Sequence, residues 1–138
     1  MADKIRLKVV TPSRLVLDED VDEVTAPGAL GEFGVLPNHI AFLTLLVPGE
    51  MSYKQGPVKR YLAVSGGYAE VLDNTMTVLA TSAEYADEID VERARRNEEQ
   101  AENQMHQLNP DDKEFIAAAV ALRWAKVQMH VANRQLGD

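Results

Sequence analysis

The sequence predicts an α+β chain: an N-terminal all-β sandwich, or flattened barrel, of about ten short strands, followed by a C-terminal antiparallel hairpin of two helices. Three observations carry this. Seven of the eight glycines and five of the six prolines precede residue 85. Most β-branched runs lie in the same part, cut into short pieces by turn residues. Past residue 86 the punctuation almost stops and the apolar spacing becomes helical. The 138 residues suit a small β domain, expected over 1–84, plus an appendage over 88–136 too small to hold a core of its own.

Taken in order, Ile5, Leu7 and Val9 alternate with Arg6 and Lys8, the period of a strand with one buried face. Thr11-Pro12-Ser13 ends it. Further strands are expected at Leu15 to Leu17, Val21 to Thr25, Gly34 to Leu36, Ala41 to Leu46, Met51 to Lys54, Arg60 to Val64, Tyr68 to Leu72 and Thr75 to Ala80. Turns at Pro27-Gly28, Pro37-Asn38, Pro48-Gly49, Gly56-Pro57, Gly66-Gly67 and Asp73-Asn74 separate them. Gly56-Pro57 and Asp73-Asn74 read as hairpin turns.

Asp90 is the expected N-cap of a helix from Val91 to Gln107, with Glu92 in the first turn, where the helix dipole favours an anion. Asn109 as cap, Pro110 at the first helical position and acidic Asp111, Asp112 and Glu114 predict a second helix running to about Gln135, before Gly137. So short a connection makes the helices antiparallel neighbours. Their seam follows a heptad-like spacing. It runs through Ala118, Leu122, Ala125, Met129, Ala132 and Leu136 on the second helix, and through Ala94, Ala101, Met105 and Leu108, with Glu98 interrupting, on the first. A buried methylene contributes about 0.8 kcal/mol and a full leucine about 1.5 to 3, so a half-alanine seam is a soft one. Trp124 lies off it.

Composition excludes several classes. A net charge of -8, carried by both parts, argues against nucleic-acid or anionic-lipid partners. No cysteine is present, so disulfides, thiolate catalysis and cysteine-ligated zinc are out. The longest apolar run, Ile40 to Val47, is eight residues broken by Thr44, short of the ~18 of a membrane span. The opening residues carry no apolar signal core, and no Gly-rich phosphate loop or metal site is recognisable.

The densest motif is Gly31-Glu32-Phe33-Gly34-Val35-Leu36-Pro37-Asn38-His39-Ile40-Ala41-Phe42-Leu43-Thr44. With Ser65-Gly66-Gly67-Tyr68-Ala69-Glu70-Val71 and Thr77-Val78-Leu79-Ala80 it resembles the epsilon subunit of bacterial-type F-type ATP synthases, and the resemblance runs along the whole chain. Ile40-Ala41 departs from the Ala-Pro that family members commonly carry after the histidine. The resemblance implies a rotor subunit of the central stalk with no catalytic residue of its own and no required cofactor. Its sandwich would sit on the gamma subunit and the c-ring, at the cytoplasmic face of the inner (plasma) membrane without entering it. Its hairpin would fold against the sandwich or extend along gamma into the alpha/beta catalytic head and block ATP hydrolysis.

A finer resemblance is Ile89-Asp90-Val91-Glu92-Arg93-Ala94, which is similar to the [IL]-D-x-x-R-A motif by which some bacterial epsilon subunits bind ATP. It implies that ATP is a regulatory ligand. Ile89 would pack on the base, Glu84 and Asp90 would accept hydrogen bonds from base or sugar, and Arg93, helped by Arg123, would meet the phosphates, with Ala94 completing the motif. A planar, permanently charged guanidinium suits phosphate, and ligands from both helices would favour a folded hairpin. Free ATP tenfold above Kd would stabilise that state by about 1.4 kcal/mol. In the next turn Glu98-Glu99-Gln100 would repel phosphate.

Other readings stand beside these. Asp90 and Arg93 also fit a helix cap and a surface ion pair. Arg93, Arg95, Arg96, Arg123, Lys126 and Arg134 fit either a solvated face or a contact with an acidic segment of a catalytic subunit. A free-standing nucleotide-sensing regulator outside any rotor is an alternative function, and a third is an enzyme using Glu32 and His39.

Overall fold

The computed structural model describes residues 3–134, which form two compact units parting between Tyr85 and Ala86. The first contains ten strands: β1 (Ile5–Val10), β2 (Leu15–Val21), β3 (Glu23–Gly28), β4 (Gly31–Val35), β5 (Phe42–Leu45), β6 (Gly49–Gln55), β7 (Val58–Ser65), β8 (Tyr68–Leu72), β9 (Thr75–Leu79) and β10 (Ser82–Tyr85). They build two five-stranded sheets, ordered β2-β1-β9-β8-β5 and β10-β7-β6-β3-β4. Every pairing of named strands is antiparallel except β1 with β9, which join in parallel across nearly the whole length of the domain.

The alternation seen in β1 places Ile5, Leu7 and Val9 inside, where they meet Val71, Met76 and Val78 of their own sheet and Val24, Met51, Tyr53, Leu62 and Val64 of the other. These side chains are essentially withdrawn from water, and at about 1.5 to 3 kcal/mol for each large aliphatic group their burial dominates the stability of the unit. Two hairpins close as expected. Gln55 pairs with Val58 across Gly56-Pro57, and Leu72 pairs with Thr75 across Asp73 and Asn74. Those two residues have φ of 51° and 57°, the left-handed pair that a type I′ turn demands.

Strand boundaries differ from expectation in several places: β2 runs on to Val21 instead of ending at Leu17, β6 begins at Gly49 and β7 at Val58, and four further differences have a physical cause. The strand expected at Val21 to Thr25 is broken at Asp22, whose carboxylate pairs with Lys4 and accepts the Gly56 N–H at 2.6 Å. Pro27-Gly28 lies inside β3 instead of turning, because β3 pairs with β6 only from Glu23 to Thr25, so the missing proline N–H interrupts no ladder. The next strand accordingly begins at Gly31, opposite Gly28, rather than at Gly34. β10 has no alternation strong enough to read from sequence and exists because it pairs with β7.

The second unit opens with a 3₁₀ turn at Ala86–Glu88 and continues with α1 (Val91–Gln107) and α2 (Lys113–Ala132). α2 packs on both α1 and the turn. Ala94 and Ala101 of α1 and Ala118, Ala125 and Ala132 of α2 are buried, with Met105, Leu108, Leu122 and Met129 half-buried around them, which is the expected seam. Leu136 and the expected helix end at Gln135 lie outside the described residues. Asn109 does not cap α2. Its side chain accepts the Asp111 N–H at 3.2 Å, closing a separate turn, and the cap residue is Asp112, held extended with ψ of 146°.

Candidate functional site

Two surfaces are candidates, one on each unit. On the first sheet, side chains alternate across the pleat, so a residue and its cross-strand partner share a face. The register places Leu45 opposite Tyr68, Tyr68 opposite Leu79, Leu79 opposite Val10 and Val10 opposite Leu15. This is one apolar row across all five strands on the outer face. Leu45 is 66% exposed, Leu15 58% and Tyr68 43%. Beside it lies a shallow cavity of about 360 Å³ lined by Val10, Pro12, Gly67, Leu79 and Ala80, with Thr11 and Thr81.

The opposite end of the same face is charged. Arg6 Nε donates to Asp18 at 2.7 Å and its Nη1 reaches Asp20 at 3.4 Å. Those hydrogen bonds hold the Asp18 carboxyl below the usual carboxylate range, and Lys4 and the Gly56 amide do the same for Asp22. An outer sheet face left to water is ordinarily polar throughout. Charge at one end and a continuous apolar row at the other make this face a candidate contact surface for another macromolecule.

Gly67 shapes the end of the row. Its φ of +97° lies in the left-handed region, and a Cβ there would stand 1.8 Å from the Leu79 carbonyl oxygen. At the other end of the sandwich Asn38, with φ of 64°, receives Asn74 Oδ1 on its N–H at 2.7 Å and donates from Nδ2 to Asp3 at 3.2 Å, while Asn74 Nδ2 bonds the Lys4 carbonyl at 2.8 Å. The bracing holds a loop on which Leu36 and Ile40 are both exposed. His39 donates from Nδ1 to the Ile40 carbonyl at 2.8 Å and lies against Phe42. Glu32 is exposed in β4, opposite Pro27, and shares no hydrogen bond with His39 among the described residues.

The second surface is the start of the hairpin. Asp90 caps α1, its Oδ1 accepting the Arg93 N–H at 3.1 Å. Ile89 is buried, and so is Ala94, on the helix seam. Arg93 and Arg123 are exposed and make no ion pair among the described residues, whereas Arg95 is tied to Glu92 at 2.7 Å. Glu84 belongs to β10 in the other unit, half-buried and already engaged. Of the six candidate nucleotide-site residues, two therefore offer cations without an ion pair among the described residues, two are carboxylates already engaged, Asp90 as a cap and Glu84 in the other unit, and two are buried apolar groups. No group of His, Asp and Glu arranged to hold a metal occurs among the described residues.

Sequence reasoning missed the apolar row. Its members come from three separate stretches of the chain, Val10 with Leu15, Leu45, and Tyr68 with Leu79, and only the strand register aligns them. The one local trace is Leu43-Thr44-Leu45-Leu46, apolar on both faces of a strand.

Comparison with known proteins fits this anatomy unit by unit. The family model described as "ATP synthase, Delta/Epsilon chain, beta-sandwich domain" matches residues 4–86, and "ATP synthase, Delta/Epsilon chain, long alpha-helix domain" matches 87–133. The ATP synthase epsilon chain of Geotalea daltonii is 50% identical over 134 residues, 97% of this chain and 97% of that one. That of Geobacter sulfurreducens is 47% identical over the same shares. Among solved structures, a chain of the Euglena gracilis mitochondrial ATP synthase, from its OSCP/F1/c-ring assembly, superposes with a TM-score of 0.78 at 28% identity, covering 89% of this chain and 78% of that one. A Tetrahymena thermophila mitochondrial ATP synthase chain shares the fold, with a TM-score of 0.57 at 19% identity and 96% of each chain covered. With both of its units matched and nearly its whole length shared with epsilon chains, this protein belongs to the ATP synthase delta/epsilon family, as an epsilon chain.

Proposed function

We propose that this chain is a non-catalytic rotor subunit of an F-type ATP synthase, seated peripherally at the cytoplasmic face of the membrane. There it couples c-ring rotation to the alpha/beta head through gamma and restrains ATP hydrolysis with its hairpin. The observation that carries the subunit assignment is the similarity to epsilon chains along 97% of the sequence. The outer apolar row from Leu45 to Leu15 supports a contact with gamma, since burying such a row on a partner recovers about 25 cal/mol for each Å² removed from water. The braced loop bearing Leu36 and Ile40 suits the c-ring. Among the described residues no helix is long and apolar enough to cross a membrane.

The test is reconstitution of an epsilon-depleted synthase. The wild-type chain is expected to bind a complex containing gamma and to lower its ATPase rate. Tyr68→Glu with Leu45→Glu should weaken that binding at least tenfold, because two desolvated charges would enter an apolar contact. Wild-type chain that neither binds nor changes the rate would leave the free-standing regulator as the better reading.

Nucleotide sensing by the hairpin is a second proposal, favoured by the exposed guanidiniums of Arg93 and Arg123, which make no ion pair among the described residues. Titration of the chain with ATP and, separately, ADP into the millimolar range should move backbone amide resonances at 89–94 and at Arg123, more for ATP. Absence of localised, saturable shifts would leave Asp90 a helix cap and nothing more.

A further inference from the structure

The last residue of the sandwich is held by a strand pairing, a hydroxyl hydrogen bond and a cation–π contact, among others. Tyr85 closes the β10 ladder opposite Leu62. Its hydroxyl is hydrogen-bonded at 3.0 Å to that of Tyr53, a side chain 1% exposed in the core. The Arg60 guanidinium lies 4.4 Å from the centre of the Tyr85 ring, within cation–π range. Register explains the meeting. Tyr53 is opposite Arg60 and Tyr85 opposite Leu62, so all four lie on one face of the second sheet. One residue later the allegiance changes, for the 3₁₀ turn Ala86–Glu88 packs on α2. No linker separates the two units.

From this we infer that Tyr53, Arg60 and Tyr85 form a latch that anchors the end of the sandwich and confines the pivot of the hairpin to the backbone around the Tyr85–Ala86 junction. The inference rests on the reading of the hairpin as a moving part. Without a latch, a short terminal edge strand is the first element to fray, and force on the hairpin would peel β10 from β7. With it, reorientation turns on the torsions at Ala86 while both packed units stay intact. Two soft dihedrals permit large angles at little cost, which is the economy of a hinge placed at an element terminus.

The chain has no cysteine, so single label sites can be introduced cleanly. The experiment is amide hydrogen exchange on the full chain, together with spin-label distances between Ser13→Cys in the first unit and Lys126→Cys in the second. Tyr85→Phe and Tyr53→Phe each remove the hydroxyl bond and keep the ring. Each should speed exchange at 82–85 about fivefold, as for loss of one ordinary hydrogen bond, and leave α1 and α2 unchanged. Ala86→Gly frees the pivot without touching the latch. It should broaden the distance distribution while leaving exchange at 82–85 as in wild type. Unchanged exchange in both phenylalanine variants, or exchange of 82–88 as one cooperative block, overturns the latch. Binding to gamma and ATPase inhibition are measured on the same proteins. A chain that exchanges with a break at 85/86 yet binds no rotor fails the proposed function and keeps the latch, while the reverse result fails the latch alone.

Discussion

At the scale of the residue, physical constraint concentrates where the backbone approaches itself. Gly67 is the sharpest case, combining a positive φ with a carbonyl oxygen 1.8 Å from where a Cβ would stand. The close approach lets Leu46 N–H bond the Gly67 carbonyl at 2.9 Å and ties the β7–β8 connection to β5. Gly67→Ala must displace the β9 backbone as well as adopt a strained conformation, and is expected to cost on the order of 3 kcal/mol. Denaturant unfolding of the variant checks this, and a midpoint within error of wild type would contradict the geometry. Gly56, with φ of +60° but open space around it, should lose only the conformational part. Tyr53 shows a residue whose chemistry is switched off. Burial first, and then the bond to Tyr85, push its phenol above the ordinary tyrosine value, so the hydroxyl stays protonated and remains part of a fixed pair.

Among the elements, α2 departs most from a simple amphipathic helix. Its seam side is alanine-rich, while Ile116, Val120, Trp124, Val127 and Val131 form a second apolar stripe around the back at helical spacing. Burial along that stripe is uneven: Ile116 is 57% and Val120 63% exposed, whereas Val131 is fully buried. Alanine brings the helix axes close, and its methyl leaves little room for anything larger. Ala125→Leu, at a position 1% exposed, should therefore force α1 and α2 apart and destabilise the hairpin by about 1 to 3 kcal/mol. The loss of helical circular dichroism on heating should shift to lower temperature, and an unchanged or raised midpoint would show that the seam holds unfilled space. The β elements were legible wherever alternation and turn chemistry agreed, as in β1, β8 and β9. They were misread at Pro27 and missed at β10, where pairing with a distant strand outweighed local signals.

The whole molecule joins a densely packed sandwich to a thin helical unit. The first has a large apolar core drawn from both sheets. The second buries mainly alanines, and a two-helix hairpin of this kind has little hydrophobic stabilisation of its own. Heating should accordingly give two transitions, with helical signal lost before the tertiary signal of the sandwich tyrosines. Coincident loss by both probes would show that the units unfold as one. The candidate surfaces also divide between the two units. The candidate nucleotide motif is a contiguous string, since Ile89 to Ala94 are neighbours in the chain. The apolar row is not, because Leu15, Val10, Leu79, Tyr68 and Leu45 become neighbours only when β1 joins β9 in parallel and β5 closes the edge.

What the sequence by itself determined is the class of each half, the hairpin turns, the cap at Asp90, the alanine seam and the family. These rest on spacing within a few residues, where side-chain period and turn preference act locally. Tertiary structure alone decided the sheet order, the strand status of Pro27 and of Ser82 to Tyr85, the apolar row and the Tyr53–Tyr85–Arg60 cluster. Each of those depends on which distant strands pair and in what register. That choice is made by burial of the whole core at once, a sum over long-range contacts that no local window contains.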